Sequence, residues 1–286
     1  MKRLFLAAAL AAVMLVPASS ASAALTGEYA RFSNCGFSNP VIDLCLYAPT
    51  SSGSFTMGKK AVPLVNPVIL QGGLDAPEGI AGPLTFYAPA DGNTLSKTPQ
   101  PVPGGLLGVT APSWWPQILK DLFNETINNG FTGVTATVEL AAPASSVKVS
   151  IRNALFEEGA AFQMPVKVKL SNPFLGNSCY IGSNSNPISL NLTTGTTSPP
   201  PPNTPISGSR GEIGEPAFGI VSISKNRLVD NAFGAPGANG CGGILFSWAV
   251  DPLVNSIVGV PSPAGTNTAI LEGTTYLAGA EVLRGL

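Results

Sequence analysis

Through much of its second half the chain alternates apolar and polar residues with a period of two. Val134, Ala136, Val138 and Leu140 interleave with Thr135, Thr137 and Glu139, and Val147, Val149 and Ile151 with Lys148, Ser150 and Arg152. Val166, Val168 and Leu170 interleave with Lys167 and Lys169, and Ile188, Leu190 and Leu192 with Ser189, Asn191 and Thr193. Neighbouring side chains on a strand point to opposite faces, so each stretch predicts a strand with one face buried and one wet. Apolar runs of strand length at 218–224, 244–250 and 268–271 predict three more. Earlier in the chain, 41–47 reads as a strand closed by Ala48-Pro49-Thr50, and 55–62 as a hairpin turning at Gly58-Lys59-Lys60. Residues 68–70 read as a short strand stopped by Gly72-Gly73, and 84–87 as another.

The period becomes helical only once. Between Ser113, a candidate N-cap, and Asn128-Asn129-Gly130, a candidate stop, Ile118, Leu119, Leu122, Phe123 and Ile127 form an apolar stripe. Pro116 fits the first turn, where its missing N–H is not needed. Trp114 and Trp115 sit at the mouth of this helix. They read either as an aromatic binding platform or, the favoured reading, as a plug for one end of the core.

Proline and glycine supply the remaining punctuation. Ser198-Pro199-Pro200-Pro201-Pro202-Asn203-Thr204-Pro205 predicts extended polyproline, a domain linker or a ligand for a partner; it lies between Cys179 and Cys241, and if those two pair it is a tethered surface loop and not a boundary, the favoured reading. Pro63-Leu64-Val65-Asn66-Pro67-Val68-Ile69 and Pro252-Leu253-Val254-Asn255-Ser256-Ile257-Val258 are faintly alike. Shared turn grammar accounts for this better than duplication, because the spacing of the matched pieces differs.

The N-terminus carries an address. Met1-Lys2-Arg3 is basic, residues 4–16 are apolar, Pro17 breaks the run, and Ala21-Ser22-Ala23 fits a small-x-small cleavage site. This predicts a secretory signal peptide over 1–23 and a β-rich exported region over 24–286. The apolar run is shorter than the roughly 20 residues a spanning helix needs, and no later segment is long enough either, so no membrane span is expected after cleavage. No cysteine stands at the cleavage site to receive a lipid.

Composition narrows the chemistry. Charged residues make up only 11% of the chain, and loss of Lys2 and Arg3 would move the net charge from −1 to −3. Such a chain attracts neither nucleic acid nor an anionic membrane by bulk charge. Histidine is absent altogether. Ser-His-Asp and Cys-His hydrolysis and His-ligated metal chemistry are therefore closed to these residues. Cys35, Cys45, Cys179 and Cys241 are an even set in an exported chain and predict two disulfides. Three connectivities are open. Pairing Cys35 with Cys45 and Cys179 with Cys241 is favoured because each bond then stays within its own half. With no CxxC pair, neither a zinc site nor redox catalysis is expected.

The other candidate sites have structural readings beside the functional ones. Glu157-Glu158 is the one adjacent acidic pair, but neighbours on a strand diverge, and Gly159 suggests a turn. Asp91-Gly92-Asn93 reads as a tight turn, since the spaced acidic ligands of a calcium loop are missing. Ser207-Gly208-Ser209 lacks the frame of a nucleophile elbow, and Gly240-Cys241-Gly242-Gly243 is not a phosphate loop. Asn124-Glu125-Thr126 and Asn191-Leu192-Thr193 match the glycosylation sequon. No catalytic, metal or cofactor residue is assigned.

Three blocks resemble an uncharacterised family of exported proteins from high-GC Gram-positive bacteria. They are Ser54-Phe55-Thr56-Met57-Gly58 with Val62-Pro63-Leu64 and Gln71-Gly72-Gly73-Leu74; Cys179-Tyr180-Ile181-Gly182-Ser183 through Asn186-Pro187-Ile188 to Leu190-Asn191-Leu192-Thr193-Thr194-Gly195; and Leu228-Val229-Asp230-Asn231 with Pro236-Gly237-Ala238 and Asn239-Gly240-Cys241-Gly242. The resemblance would cover most of the exported region. It implies export and supplies no functional residues, because no activity is assigned to that family.

The expected fold is an all-β antiparallel sandwich with one short α-helix, about 113–130, and two disulfides. The expected role is that of a secreted, non-catalytic protein, free or associated with the cell envelope, that binds or builds. A cell-wall glycan or another envelope protein would be its partner. A glycan-active hydrolase working through two distant carboxylates is the first alternative. An envelope β-barrel is the second, and it is weakened by alternating stretches shorter than the 9–11 residues of a membrane strand.

Overall fold

A computed structural model describes residues 24–108, 110–128 and 132–286. The expected signal peptide, 1–23, lies outside the described residues.

In chain order the elements are β1 (Leu44–Met57), β2 (Lys60–Pro63), β3 (Val68–Asp75), β4 (Thr85–Tyr87), β5 (Gln100–Pro101), α1 (Gln117–Asn128), β6 (Thr135–Leu140), β7 (Lys148–Val149), α2 (Ile151–Phe156) and β8 (Phe162–Ser171). They continue with β9 (Tyr180–Ile181), β10 (Ile188–Leu192), β11 (Glu212–Ala217), β12 (Ile220–Asp230), β13 (Ala238–Asn239), α3 (Gly243–Val258), β14 (Thr268–Gly279) and α4 (Ala280–Arg284). One seven-stranded sheet has the order β11-β12-β14-β1-β3-β4, with β2 also on β1. The other has the order β13-β9-β8-β6-β5, with β7 and β10 also on β8. Every pairing between these strands is antiparallel, and the two sheets pack face to face as the sandwich the alternation predicts.

β8 shows why the pattern works. Phe162, Met164, Val166, Val168 and Leu170 are buried, while the residues between them are only partly covered. Both edges of this strand are used twice: by β10 then β9 on one side, by β7 then β6 on the other. Its buried row meets Leu46, Phe55, Leu70 and Leu228 of the opposite sheet in one continuous core.

A second, smaller core lies on the other face of the first sheet. Phe32, Cys35, Ile42, Cys45, Ile220 and Leu283 form it under the 3-10 helix Gly27–Phe32 and α4. The disulfides join Cys35 to Cys45 and Cys179 to Cys241, the favoured pairing, so one braces each core. Arg284 holds the lid of the smaller core, donating to the carbonyls of Phe37, Asn39 and Ile42.

Several expectations are corrected. Residues 244–250 are not a strand but part of α3, and α2 begins where the strand at 147–152 was expected to continue, with the Ser150 hydroxyl capping the Asn153 N–H. The described residues therefore hold four α-helices instead of one. The expected helix at 113–130 is α1, but it starts at Gln117: Ser113 stands four residues ahead of it and does not cap it, and Pro116 precedes its first turn instead of lying within it. Ala48-Pro49-Thr50 does not end a strand; β1 runs through it, with a bulge between Thr50 and Ser52. Gly72-Gly73 does not stop β3 either. A Cβ on Gly72 would lie 2.6 Å from the Phe86 ring, and one on Gly73 2.5 Å from Ile42 Cδ1, so these glycines admit their neighbours mid-strand.

The Pro-rich stretch is not polyproline throughout, because it is interrupted at its centre. Pro201-Pro202 is a cis peptide within a turn, and Asn203 anchors the loop by donating to the carbonyls of Asn231 and Asn267. The two similar heptapeptides adopt different structures, strand–loop–strand at 63–69 and helix at 252–258. Pro67, standing where the second copy has Ser256, lacks the N–H a helix would need there.

Candidate functional site

Both long helices lie on the surface of the sandwich, α3 reaching its core through Val254. α1 is expected to bury its apolar stripe, yet Ile118 is 78% exposed, and Leu119 and Leu122 are exposed with it. Trp114 is 79% exposed, which overturns the reading of it as a core plug. The aromatic rings instead pack on one another at the surface. Trp114 and Trp115 stand edge to face at 6.2 Å, and Trp115 meets Phe123 in the same way at 5.7 Å. Trp115, being half-buried, anchors the outer ring. Gln117 donates to Asp121 along the helix, leaving polar groups beside the aromatic face.

α3 is exposed more widely. Ile244, Leu245, Phe246, Trp248 and Leu253 all face solvent, while Val254 alone reaches the core fully. Its one ionisable side chain, Asp251, turns back to accept the N–H groups of Gly240 and Cys241 at 3.2 and 2.7 Å. Gly240-Cys241-Gly242-Gly243 is thus the entry to this helix, closed by the disulfide.

The remaining sequence candidates are structural. The Asp91 carboxylate accepts from the Asn93 N–H at 2.9 Å and from Asn34 at 3.1 Å, the arrangement of a stitched turn. Glu157 ends α2 at φ 59° and accepts the Arg210 N–H at 3.0 Å, whereas Glu158 pairs with Arg152 at 3.4 Å; the two carboxylates diverge. The Ser207 hydroxyl shares a hydrogen bond with Thr196 across a β-bridge, and a Cβ on Gly208 would strike the Arg227 carbonyl, so this triplet is close strand packing. Asn191 is exposed and accepts from Gln163 at 2.9 Å, while the Asn124 side chain lies outside the described residues.

Two concavities were not read from the sequence. One is an apolar cavity of about 80 Å³ between the sheets, bounded by Phe55, Leu70, Phe162, Met164, Leu190 and Leu228. The other is a polar groove of about 450 Å³ on the outer face of the first sheet, lined by Ser51, Ser52, Ser224, Lys225, Arg227 and Glu272. The groove lies where the bulges of β1 and β12 flank Gly273, with Arg227 paired to Glu272 at 3.4 Å. Glu272 is the one carboxylate lining it. Bulges leave no mark in a polar sequence, so these residues carried no signal.

Two groups titrate abnormally. Burial pushes the Asp230 carboxyl up, against the lowering effect of the N–H groups of Asn191 and Ala232 that it accepts. Burial and the neighbouring Glu139 carboxylate raise the Tyr180 hydroxyl. The Tyr180 hydroxyl donates to the Glu139 carboxylate at 3.4 Å, and the Asp230 carboxylate accepts backbone N–H groups. Among the described residues no group of three or more acidic, cysteine or histidine side chains is placed to hold a metal, and no helix is long and apolar enough to cross a membrane.

These observations define a disulfide-braced antiparallel β-sandwich carrying two apolar helices on its surface. No family model matches the chain, and neither a curated protein nor a solved structure is similar to it.

Proposed function

We propose that the chain is an exported, non-catalytic binding protein of the cell envelope, and that Trp114, Trp115 and Ile118 form its ligand platform. The export reading rests on the N-terminal signal pattern, on the resemblance to exported proteins of high-GC Gram-positive bacteria, and on disulfides that persist in oxidising compartments.

The binding reading rests on one observation above all: Trp114, braced edge to face by the half-buried Trp115, is held out in solvent beside polar groups. Indole presents a flat apolar body that suits the C–H face of a sugar ring, while Gln117 and Asp121 can meet its hydroxyls. The partner is therefore a cell-wall glycan. A hydrolytic reading needs a second carboxylate facing Glu272, and in the polar groove the facing ionic groups are Arg227 and Lys225.

The test has two parts. Producing cells are separated into medium, wall and membrane, and the protein is expected in the wall, released by salt or muramidase. Purified walls should then retain the protein and release Trp114→Ala. Protein found only in the medium, or walls that hold both forms equally, would sink the proposal.

A further inference from the structure

We infer that α3 is the contact face of a two-fold homodimer, packed antiparallel against α3 of a second copy. The helix is fixed in place. Val254 enters the core, the Asn255 carboxamide accepts the Ala238 N–H at 2.6 Å, the Val258 carbonyl accepts the Lys59 N–H at 2.7 Å, and the Cys179–Cys241 disulfide closes its start. A helix anchored at both ends cannot fold its outer face inward to hide it.

That outer face is apolar and uncharged. Ile244 is 99% exposed and Trp248 79%, with Leu245, Phe246 and Leu253 each more than half exposed. Taking ~100 Å² for a fully exposed aliphatic side chain and ~200 Å² for an aromatic one, these five present roughly 500 Å². A stable interface takes about 800 Å² from each partner, and a monomer's largest apolar patch is about 300–600 Å². Two such faces together bring roughly 1,000 Å², the total a specific interface should clear, and Ala249, Pro252 and Ser256, exposed between the large residues, widen the face.

The spacing is self-complementary. An antiparallel pair with its two-fold axis at the midpoint of Gly243–Val258 sets Leu245 opposite Ser256, Trp248 opposite Leu253 and Ala249 opposite Pro252. Large side chains then flank the axis and small ones sit on it, allowing close approach. An isologous contact sets like groups near like, so a charge near the axis would repel its own copy; Asp251 avoids this by turning inward. The competing occupant is a lipid surface. Helices that lie in a bilayer interface carry Lys and Arg on their polar side, and α3 has neither along its length.

Sedimentation velocity and light scattering on the purified protein, from low to high micromolar, should give twice the chain mass. Ala249→Glu places two carboxylates beside the axis at an exposed position. It should weaken association at least about a hundredfold while circular dichroism stays unchanged and the urea midpoint falls only as far as loss of the dimer requires. Trp248→Ala is the second variant, should the charge disturb the helix, and it should weaken association in the same direction.

A monomer at every concentration overturns the inference. So does a dimer that both variants leave intact, or a monomer that floats with phosphatidylglycerol vesicles and loses them on Ala249→Glu. Wall binding rests on Trp114, just ahead of α1 and not on α3, so the two proposals stand or fall separately.

Discussion

Replacing Trp114 by alanine separates stability from binding in one variant. A tryptophan that plugs a core costs about 3–5 kcal/mol to truncate. Here 79% of the residue is in solvent, so only about a fifth of its surface is covered. On ~250 Å² that is about 50 Å², or near 1.3 kcal/mol at 25 cal/mol per Å². The edge-to-face contact with Trp115 adds at most about 1 kcal/mol, and both figures are upper bounds because the unfolded chain also covers part of the ring. Urea unfolding should therefore show a loss under about 2.5 kcal/mol with an unchanged m-value. Retention on purified walls should fall at least about tenfold, which corresponds to 1.4 kcal/mol. A loss of 3 kcal/mol or more would mean that Trp114 is packed inside. Unchanged wall retention would mean that the ring is not the platform.

Other consequences follow from the core. Gly73→Ala overpacks Ile42 and should cost about 1–3 kcal/mol; adding Ile42→Val should restore part of that loss, and strict additivity in the double-mutant cycle would refute the close contact. Replacing both Cys179 and Cys241 by serine opens a 62-residue separation and should cost about 4 kcal/mol, against about 3 for the 10-residue Cys35–Cys45 bond; equal or reversed losses in urea titrations would contradict the loop-entropy account. Because burial raises the Asp230 carboxyl, the folded state holds that proton more tightly than the unfolded state does. The stability this gives is fully present below the ordinary aspartate range and is lost as pH rises through the raised folded value. Asp230→Asn should therefore flatten this part of the stability-versus-pH profile, and an unchanged slope would show that the group is not desolvated.

Most of the sandwich was legible because its inner and outer faces differ in polarity, and period two records that difference directly. In β8 and β10 the apolar positions picked by the alternation, Val166, Val168 and Leu170 and then Ile188, Leu190 and Leu192, are the buried ones, although β8 starts four residues earlier, at Phe162, and Thr193 beyond β10 is buried instead of wet. What was misread shares one cause: local signals cannot report what lies opposite. Residues 244–250 are an apolar run of strand length, and periodicity does not separate a buried strand from a helix that is apolar all round. Gly72 and Gly73 carry the grammar of a stop, yet their role is set by Phe86 and Ile42 across the fold. The polar groove depends on two bulges and on residues from β1, β12 and β14, which no single stretch of sequence brings together.

The exposed tryptophans were misread for a deeper reason, one that also bears on function. An amphipathic stripe normally reports burial, because folding is what usually rewards it. Here the strands, with short segments around them and Val254 of α3, fill both cores, and none of the described side chains of α1 is among their buried residues. The apolar stripe of α1 and the outer face of α3 are thus surplus to folding, and each exposes apolar side chains to water without a stability return. Selection for the fold alone would favour polar residues at Trp114, Ile118, Ile244 and Trp248. Their retention in solvent on a doubly disulfide-braced frame is explained if partners cover them: a glycan on α1 and a second copy on α3. The frame would tolerate losing either face, so binding should be separable from stability at both.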